Sequence, residues 1–268
     1  MDYTLLDSGN QKKMERFGPY TLVRPCNQAL WRPSLSEEEW KKADAHFTRE
    51  EDGGWAGSLP KTWVITHKGI KFTLSPTEFG HLGIFPEHSI LWEWAAKLVQ
   101  KRGEVEVINL FAYSGGASLA LAKAGAAVCH VDASHGMVQW ARENAALNGL
   151  EEKPIRWIVD DAIKFLKREI RRGRRYDGIL LDPPSFGRGA KGEVFKIERD
   201  IGLLLSLCKD LLSDEPLFCA CSNHTSAITP MGSGYLLEDA LGEKAETGEL
   251  FLEGPRNVPT GSYARWSC

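Results

Sequence analysis

The sequence predicts an α/β protein with a Rossmann-like, doubly wound and mostly parallel sheet, preceded by a small β-rich region. Three observations carry that reading. From about residue 88 onward, apolar strand-like segments alternate with helical periodicity, the pattern of successive βαβ units. The first such strand, Val107-Ile108-Asn109-Leu110-Phe111, runs into the small-residue turn Ala112-Tyr113-Ser114-Gly115-Gly116, and a helix rich in Ala and Leu follows. A second short strand ends on Val131-Asp132, seventeen residues after Gly115. A nucleotide-type βαβ unit carries there the carboxylate that accepts from ribose hydroxyls.

Taken in order, residues 1–75 read as a β-rich region on the substrate side. Short alternating segments at Tyr3–Leu6, Lys13–Phe17, Tyr20–Val23, Thr62–Thr66 and Ile70–Thr73 are separated by the turn sequences Asp7-Ser8-Gly9-Asn10, Gly18-Pro19 and His67-Lys68-Gly69, which favour antiparallel hairpins. Ser36-Glu37-Glu38-Glu39-Trp40 reads as a capped helical turn. Residues 76–268 read as the second domain. It starts with a helix from about 88 to 101, and strands follow near 105–111, 127–132, 155–159, 177–182 and 216–221. Helices are expected near 115–124, 135–148, 161–172, 195–212 and 233–246. The tail, Leu250–Leu252 and Ser262–Trp266 around a Gly/Pro loop, predicts a closing antiparallel hairpin.

Composition narrows the function. A hydrophobic content of 43% over 268 residues supports a large core, and the net charge of −3 gives no global basic field, so any polyanion site must be local. The six cysteines form no CxxC metal pair and no dense framework, which suits a reducing, cytoplasmic setting. No metal site is expected. The start, Met1-Asp2-Tyr3-Thr4, has no basic segment leading into an apolar core, and no apolar run approaches the roughly 18 residues that span a bilayer. No signal fixes an oligomeric state.

In open parallel sheets, ligands sit beyond the carboxyl ends of the strands. Here those ends carry Phe111–Gly116, Asp132, Asp160-Asp161, Asp182-Pro183-Pro184 and Cys221-Ser222-Asn223. A dinucleotide site needs glycine where the backbone meets a pyrophosphate, yet Phe111 and Tyr113 stand there, which argues against a dehydrogenase. A ribose without phosphate, as in S-adenosylmethionine, fits better. Gly115 and Gly116 would let its methionine part approach, and the helix that follows would favour its carboxylate. Asp132 would take the ribose hydroxyls. Asp161 would accept from the adenine amino group, cap the next helix, or do both. Asp182, fixed by two prolines, would present a carboxylate to a flat base. The basic run Lys164, Lys167, Arg168, Arg171, Arg172, Arg174 and Arg175 reads either as a phosphate grip or as a solvated helix face. Lys12, Lys13, Arg16, Arg24 and Arg32, near Trp31, would extend a groove with stacking aromatics.

The segments Asn109–Gly116, Val131–Ser134, Trp140-Ala141-Arg142-Glu143-Asn144 with Leu147-Asn148-Gly149, and Asp182-Pro183-Pro184-Ser185-Phe186 resemble the class I S-adenosylmethionine-dependent methyltransferases. More narrowly, they resemble the bacterial large-subunit ribosomal RNA group that modifies cytosine carbon 5 or a guanine nitrogen. The likeness covers about residues 70–225. It implies cofactor contacts from Phe85, Asn109, Phe111, Tyr113, Ser114, Gly115, Asp132, Ala133, Ser134, Asp161, Ala162 and Asp182, although Asn109 departs from the acidic residue common at its place. It implies an RNA substrate and S-adenosylhomocysteine as product. In the cytosine enzymes a cysteine before serine attacks carbon 6, which would make Cys221 the nucleophile and Asp182 its orienting acid. Small strand cysteines are the other reading of Cys219 and Cys221, and methylation of a nitrogen needs no thiol. No RNA-binding domain of the kind often carried by the cytosine enzymes is recognisable in the N-terminal region. The alternatives are therefore a protein or small-molecule methyltransferase, or a noncatalytic RNA-binding relative.

Overall fold

The computed structural model describes residues 3–49, 53–188, 192 and 194–268. Met1 and Asp2, on which part of the reading of the chain's start rests, lie outside them. Two compact units result, residues 1–87 with 251–260, and residues 88–250 with 261–268. The first therefore extends past the boundary expected at residue 75, and it also takes in the tip of the terminal hairpin.

The first unit is β-rich, as its hairpin signals predict. Strands β1 (Tyr3–Gly9), β2 (Lys12–Phe17) and β3 (Tyr20–Pro25) form a meander. Asn10 and Gln11, both at positive φ, make the first turn, as a tight two-residue hairpin of type I′ requires. This places the turn at the end of the Asp7–Asn10 cluster. The helical turn α1 (Glu37–Trp40) carries the full capping box, with Ser36 accepting from the Glu39 N–H and Glu39 accepting from the Ser36 N–H. Two strands that the sequence pattern did not reveal, β4 (Ala45–Thr48) and β5 (Gly54–Gly57), complete a five-stranded sheet of order β1-β2-β3-β4-β5. β4 was hidden because four residues are too few for its alternation to be read, and β5, Gly-Trp-Ala-Gly, because its glycines carry no pattern. A separate hairpin joins β6 (Trp63–His67) to β7 (Ile70–Leu74). Inside the sheet, the fully buried Glu15 is held by Arg24 at 2.7 Å, Lys13 at 3.1 Å and the Tyr3 hydroxyl at 3.1 Å.

The second unit follows the alternation read from the sequence. Its elements are α2 (Ser89–Arg102), β8 (Glu106–Leu110), α3 (Gly116–Ala124), β9 (Ala127–Asp132), α4 (His135–Leu147), β10 (Ile155–Val159), α5 (Ala162–Arg171) and β11 (Gly178–Leu181). A small hairpin of β12 (Phe186–Arg188) and β13 (Val194–Lys196), not foreseen, precedes α6 (Ile197–Leu211), β14 (Phe218–Asn223), α7 (Pro230–Leu241), β15 (Glu246–Leu252) and β16 (Val258–Ser267). The seven-stranded sheet has the order β10-β9-β8-β11-β14-β16-β15, with β16 antiparallel to β14. Strand order reverses between β8 and β11, and such switch points open a crevice at the strands' carboxyl ends. Alternate residues feed two apolar layers. Ile108, Leu110, Ile179, Leu181, Cys219 and Cys221 pack against α5, α6 and α7, while Val107, Val128, Leu180 and Phe218 pack against α2 and α3.

The basic run on α5 is partly consumed in holding this helix. Glu169, whose side chain is fully buried, accepts from Tyr176 at 2.7 Å, Arg156 at 3.1 Å and Arg172 at 3.1 Å. Arg168 pairs with Asp160 at 2.7 Å. Replacing Glu169 by Ala leaves the buried Tyr176 hydroxyl without its acceptor. Urea unfolding is expected to show a loss of about 2–3 kcal/mol, less than for a fully enclosed pair because both arginines reach solvent.

Candidate active site

Strand β8 leaves the sheet through a turn whose backbone is unusual. Phe111 (φ 54°), Tyr113 (φ 51°) and Gly115 (φ 96°) all adopt left-handed conformations, which cost a side-chain-bearing residue on the order of 1–2 kcal/mol. Three hydrogen bonds hold the turn in this shape. The Ala112 N–H donates to the Val131 carbonyl at 3.1 Å, the Tyr113 N–H donates to Asp132 Oδ2 at 2.9 Å, and the buried Asn144 amide donates to the Ser114 carbonyl at 3.0 Å. The Phe111 ring is thereby aimed at Phe195, 5.4 Å between centroids, and the Tyr113 ring at Trp140, 6.4 Å. Gly115 caps α3, and a Cβ there would stand 3.0 Å from the Ala141 methyl. At Gly116 a Cβ would fall 2.6 Å from the Trp92 ring, so neither position admits a side chain.

Asp132 ends β9 with its second oxygen accepting from the Ser134 N–H at 2.9 Å. Burial raises its pKa against the two backbone donors, from Ser134 and Tyr113, that favour the charged form. Each oxygen retains a further lone pair, which suits a pair of hydroxyls. Ser134 caps α4 by accepting from Met137, with Ala133 between it and Asp132. Asp161 caps α5 by accepting from the Lys164 N–H at 2.9 Å, and Ala162 is the first, buried residue of that helix. No Lys or Arg lies between Asn109 and Ser118. With the Tyr113 N–H already given to Asp132, the carboxylate acceptors of this rim suit the hydroxyls of a nucleoside better than a diphosphate.

Two further expected residues have these neighbours. The amide nitrogen of Asn109, 5% exposed, donates to Ser118, which also meets His130 Nδ1 at 2.9 Å. The geometry gives Asn109 to the packing of α3 and not to the rim. Phe85 belongs to the first unit, with its ring edge-on to His81 at 5.2 Å.

Asp182 follows β11, and its Oδ1 accepts from the Ser222 hydroxyl at 2.8 Å. Two histidines that sequence reasoning missed converge on it. His88 Nε2, at the start of α2, lies 3.6 Å from Oδ2, and His224 Nε2, directly after β14, lies 3.9 Å from Oδ1. The two imidazoles share a 2.8 Å hydrogen bond and stack at 5.0 Å. His88 and His224 are 136 residues apart, and only the sheet order brings them together. Nearby, Ser185 and Thr225 hydroxyls are 2.6 Å apart, and Phe186, half exposed, carries the Arg188 guanidinium 5.7 Å from its ring centre.

Cys221, the conditional nucleophile, lies on the covered side of β14. Its side chain packs in the apolar layer with α6 and α7, and burial, with Cys219 and Asp182 nearby, pushes its thiol well above the ordinary range. A nucleophile must be a thiolate with access to substrate, so this geometry speaks against the attacking role. It supports the reading of Cys219 and Cys221 as small strand residues.

Comparison with known proteins agrees with this geometry. Residues 42–261 match the family described as S-adenosylmethionine-dependent methyltransferase. The chain is 36% identical over 150 residues to the Ribosomal RNA large subunit methyltransferase K/L of Shewanella baltica, covering 54% of this chain and 20% of that protein. With the protein of the same name from Methylococcus capsulatus it is 34% identical over 174 residues, covering 64% of this chain and 22% of that one. It thus spans about a fifth of the length of these curated relatives. A crystal structure of a SAM-dependent methyltransferase from Agrobacterium tumefaciens superposes with a TM-score of 0.95 at 39% identity, over 100% of this chain and 90% of that one.

Among the six cysteines only Cys268 is exposed. Titration of the native protein with a thiol reagent is therefore expected to count about one reactive thiol per chain, none after Cys268→Ser, and all after unfolding. Fast reaction at Cys221 would favour its attacking role.

Proposed function

The chain belongs to the S-adenosylmethionine-dependent methyltransferase family, and from that premise we propose that it methylates a nitrogen of an RNA base, in ribosomal RNA. The observation that carries this reading is the rigid, polar strand end at the switch point. Asp182 offers a carboxylate locked by Pro183-Pro184 and the Ser222 hydroxyl, beside the exposed Phe186 and its Arg188. A carboxylate accepts the N–H of a flat base, and an aromatic–guanidinium platform stacks on its face. Of the two targets implied by the ribosomal RNA resemblance, cytosine carbon 5 needs a thiolate, and burial works against forming one at Cys221. Nitrogen needs only an oriented lone pair and a proton acceptor.

The cofactor, S-adenosylmethionine, supplies an electrophilic methyl group on a sulfonium and leaves as S-adenosylhomocysteine. We assign Asp132 to its ribose hydroxyls, Asp161 with Ala162 to its adenine, and the turn Phe111–Gly115 with Ala133 and Ser134 to the walls around it. The N-terminus of α3 favours the cofactor's carboxylate. Asp182 orients the acceptor base and takes up its proton.

The first unit supports a polyanionic partner. It contains a cavity of about 120 Å³ lined by Lys13, Arg24, Arg49, His81, Phe79 and Phe85, among others. Burial, together with Arg24, Arg49 and Lys13, lowers the His81 pKa to about 4, so this wall adds a neutral ring to a cationic field. The related proteins named for ribosomal RNA are 34–36% identical over the matched segments. A cytoplasmic setting follows for such a substrate, and none of the helices among the described residues is long and apolar enough to cross a membrane.

Asp132→Ala is expected to abolish calorimetric binding of S-adenosylmethionine. With unmodified ribosomal RNA and labelled cofactor, Asp182→Asn should lower kcat by about 10²–10³, while Cys221→Ala should leave the rate unchanged. Nucleoside mass spectrometry of the product should reveal an N-methylated base. Label on protein, or on cytosine carbon 5, overturns the proposal.

A further inference from the structure

The structure assigns to His88, Asp182 and His224 a binding site for one late first-row divalent cation, of which Zn²⁺ is the probe. Each residue offers one donor atom, and all three donors lie within 4.8 Å of one another. His88 Nε2 stands 2.8 Å from His224 Nε2 and 3.6 Å from Asp182 Oδ2, while His224 Nε2 stands 3.9 Å from the other oxygen, Oδ1. Two donors about 2.1 Å from a tetrahedral ion stand roughly 3.4 Å apart, so the histidine pair must open and the carboxylate must turn one oxygen towards both rings for the set to close. Two neutral imidazoles and one carboxylate suit zinc, cobalt or nickel, and they do not suit magnesium or calcium, which take oxygen ligands. Three protein ligands leave a coordination position open, as in sites where the ion stays exchangeable.

The surroundings give the set the rigidity of a site. Asp182 sits between a buried strand and Pro183-Pro184, and its Oδ1 is oriented by the Ser222 hydroxyl at 2.8 Å; such outer partners aim carboxylate ligands. His224 is flanked by Asn223, whose amide donates to both Ser233 and Ser262 at 3.0 Å, and by Thr225, whose N–H donates to Asn223 Oδ1 at 3.2 Å. Gly261 presses against the same segment, since a Cβ there would lie 2.3 Å from the Asn223 carbonyl and 3.1 Å from His224 Nδ1. His88 is fixed by the first turn of α2, where it stands at the N-cap. The three ligands thus come from three separate elements of one unit. The inference concerns binding of the ion alone; an ion on Asp182 would hold the carboxylate that the proposed methyl transfer uses, so it would compete with the acceptor base, whichever molecule carries that base.

The test uses the full chain in a Cys268→Ser background, so that the exposed thiol does not compete, with Zn²⁺ and Co²⁺ as titrants in calorimetry and visible spectroscopy. One ion per chain is expected, with a Co²⁺ spectrum free of thiolate charge transfer. Loss of an outer partner lowers metal affinity about 10- to 100-fold, so Ser222→Ala, which removes no ligand, should fall in that range, and His88→Ala and His224→Ala by about 100-fold or more. His135→Ala, an exposed histidine elsewhere in the same unit, should leave the affinity unaltered, and circular dichroism checks that each variant is folded. Absence of stoichiometric binding, or full affinity in either His88→Ala or His224→Ala, overturns the assignment.

Discussion

The structure of the active rim depends on one carboxylate. Asp132 accepts the backbone N–H of Tyr113 from the turn after β8 and that of Ser134 at the start of α4, so a single side chain ties together the two crossovers on either side of the first βαβ unit. The turn needs that tie because it is strained. Phe111 and Tyr113 are non-glycine residues at positive φ, and such conformations persist only where the surroundings over-determine them. Asn144 supplies the remaining restraint from α4 through the Ser114 carbonyl. The strain is offset by packing, since the left-handed backbone at Phe111 directs its ring against Phe195 in the layer under α6.

This explains why the same fold that binds dinucleotides elsewhere is here committed to a cofactor without phosphate. In a pyrophosphate site, glycines let backbone N–H groups reach the ligand. Here one of those N–H groups is already spent on Asp132, and aromatic side chains occupy the approach. What the rim offers is acceptor capacity at Asp132 and Asp161 and the open backbone of Gly115-Gly116. Those are the complements of hydroxyls, an amino group and a carboxylate, in that order.

The part of this design that was legible in the sequence is the part encoded locally. Strand ends at Asp132, Asp161 and Asp182 follow from the alternation of apolar runs and helices, and Phe111 and Tyr113 stand out because bulky residues replace glycine. What was illegible depends on facing or on distance along the chain. The pattern Cys219-Ala220-Cys221-Ser222 alternates, but alternation alone does not say which helices each face meets or which side chain reaches the rim. The sheet order does, and it puts Cys219 and Cys221 under α6 and α7 while the Ser222 hydroxyl reaches Asp182. His88 and His224 were invisible for a different reason. Each is an isolated histidine beside ordinary capping chemistry, and their meeting requires α2 to begin, and β14 to end, at the same rim. The hairpin β12–β13 was missed because three-residue strands carry too little periodicity to read.

Charge along the chain shows the same divide between what is local and what is folded. The run from Lys164 to Arg175 looks like a grip for phosphates, yet Arg168 is committed to Asp160 and Arg172 to the buried Glu169, and the guanidinium of Arg175 is taken by the carbonyls of Arg174 and Asp210. A cation already held by a carboxylate releases fewer counterions when it meets a polyanion, so this helix contributes less attraction than its composition suggests. With a net charge of −3, the chain must concentrate positive field where pairing is incomplete. In the first unit Arg24 and Lys13 both pair with the buried Glu15, and Arg24 also meets the Gly80 carbonyl, while Arg49 lines the same cavity with three phenylalanines and Glu87. Cations beside aromatic rings grip a backbone and stack a base at once. On the proposed reading, a chain of acidic overall balance would meet RNA through a short, local surface, and the affinity would follow that surface and not the total charge.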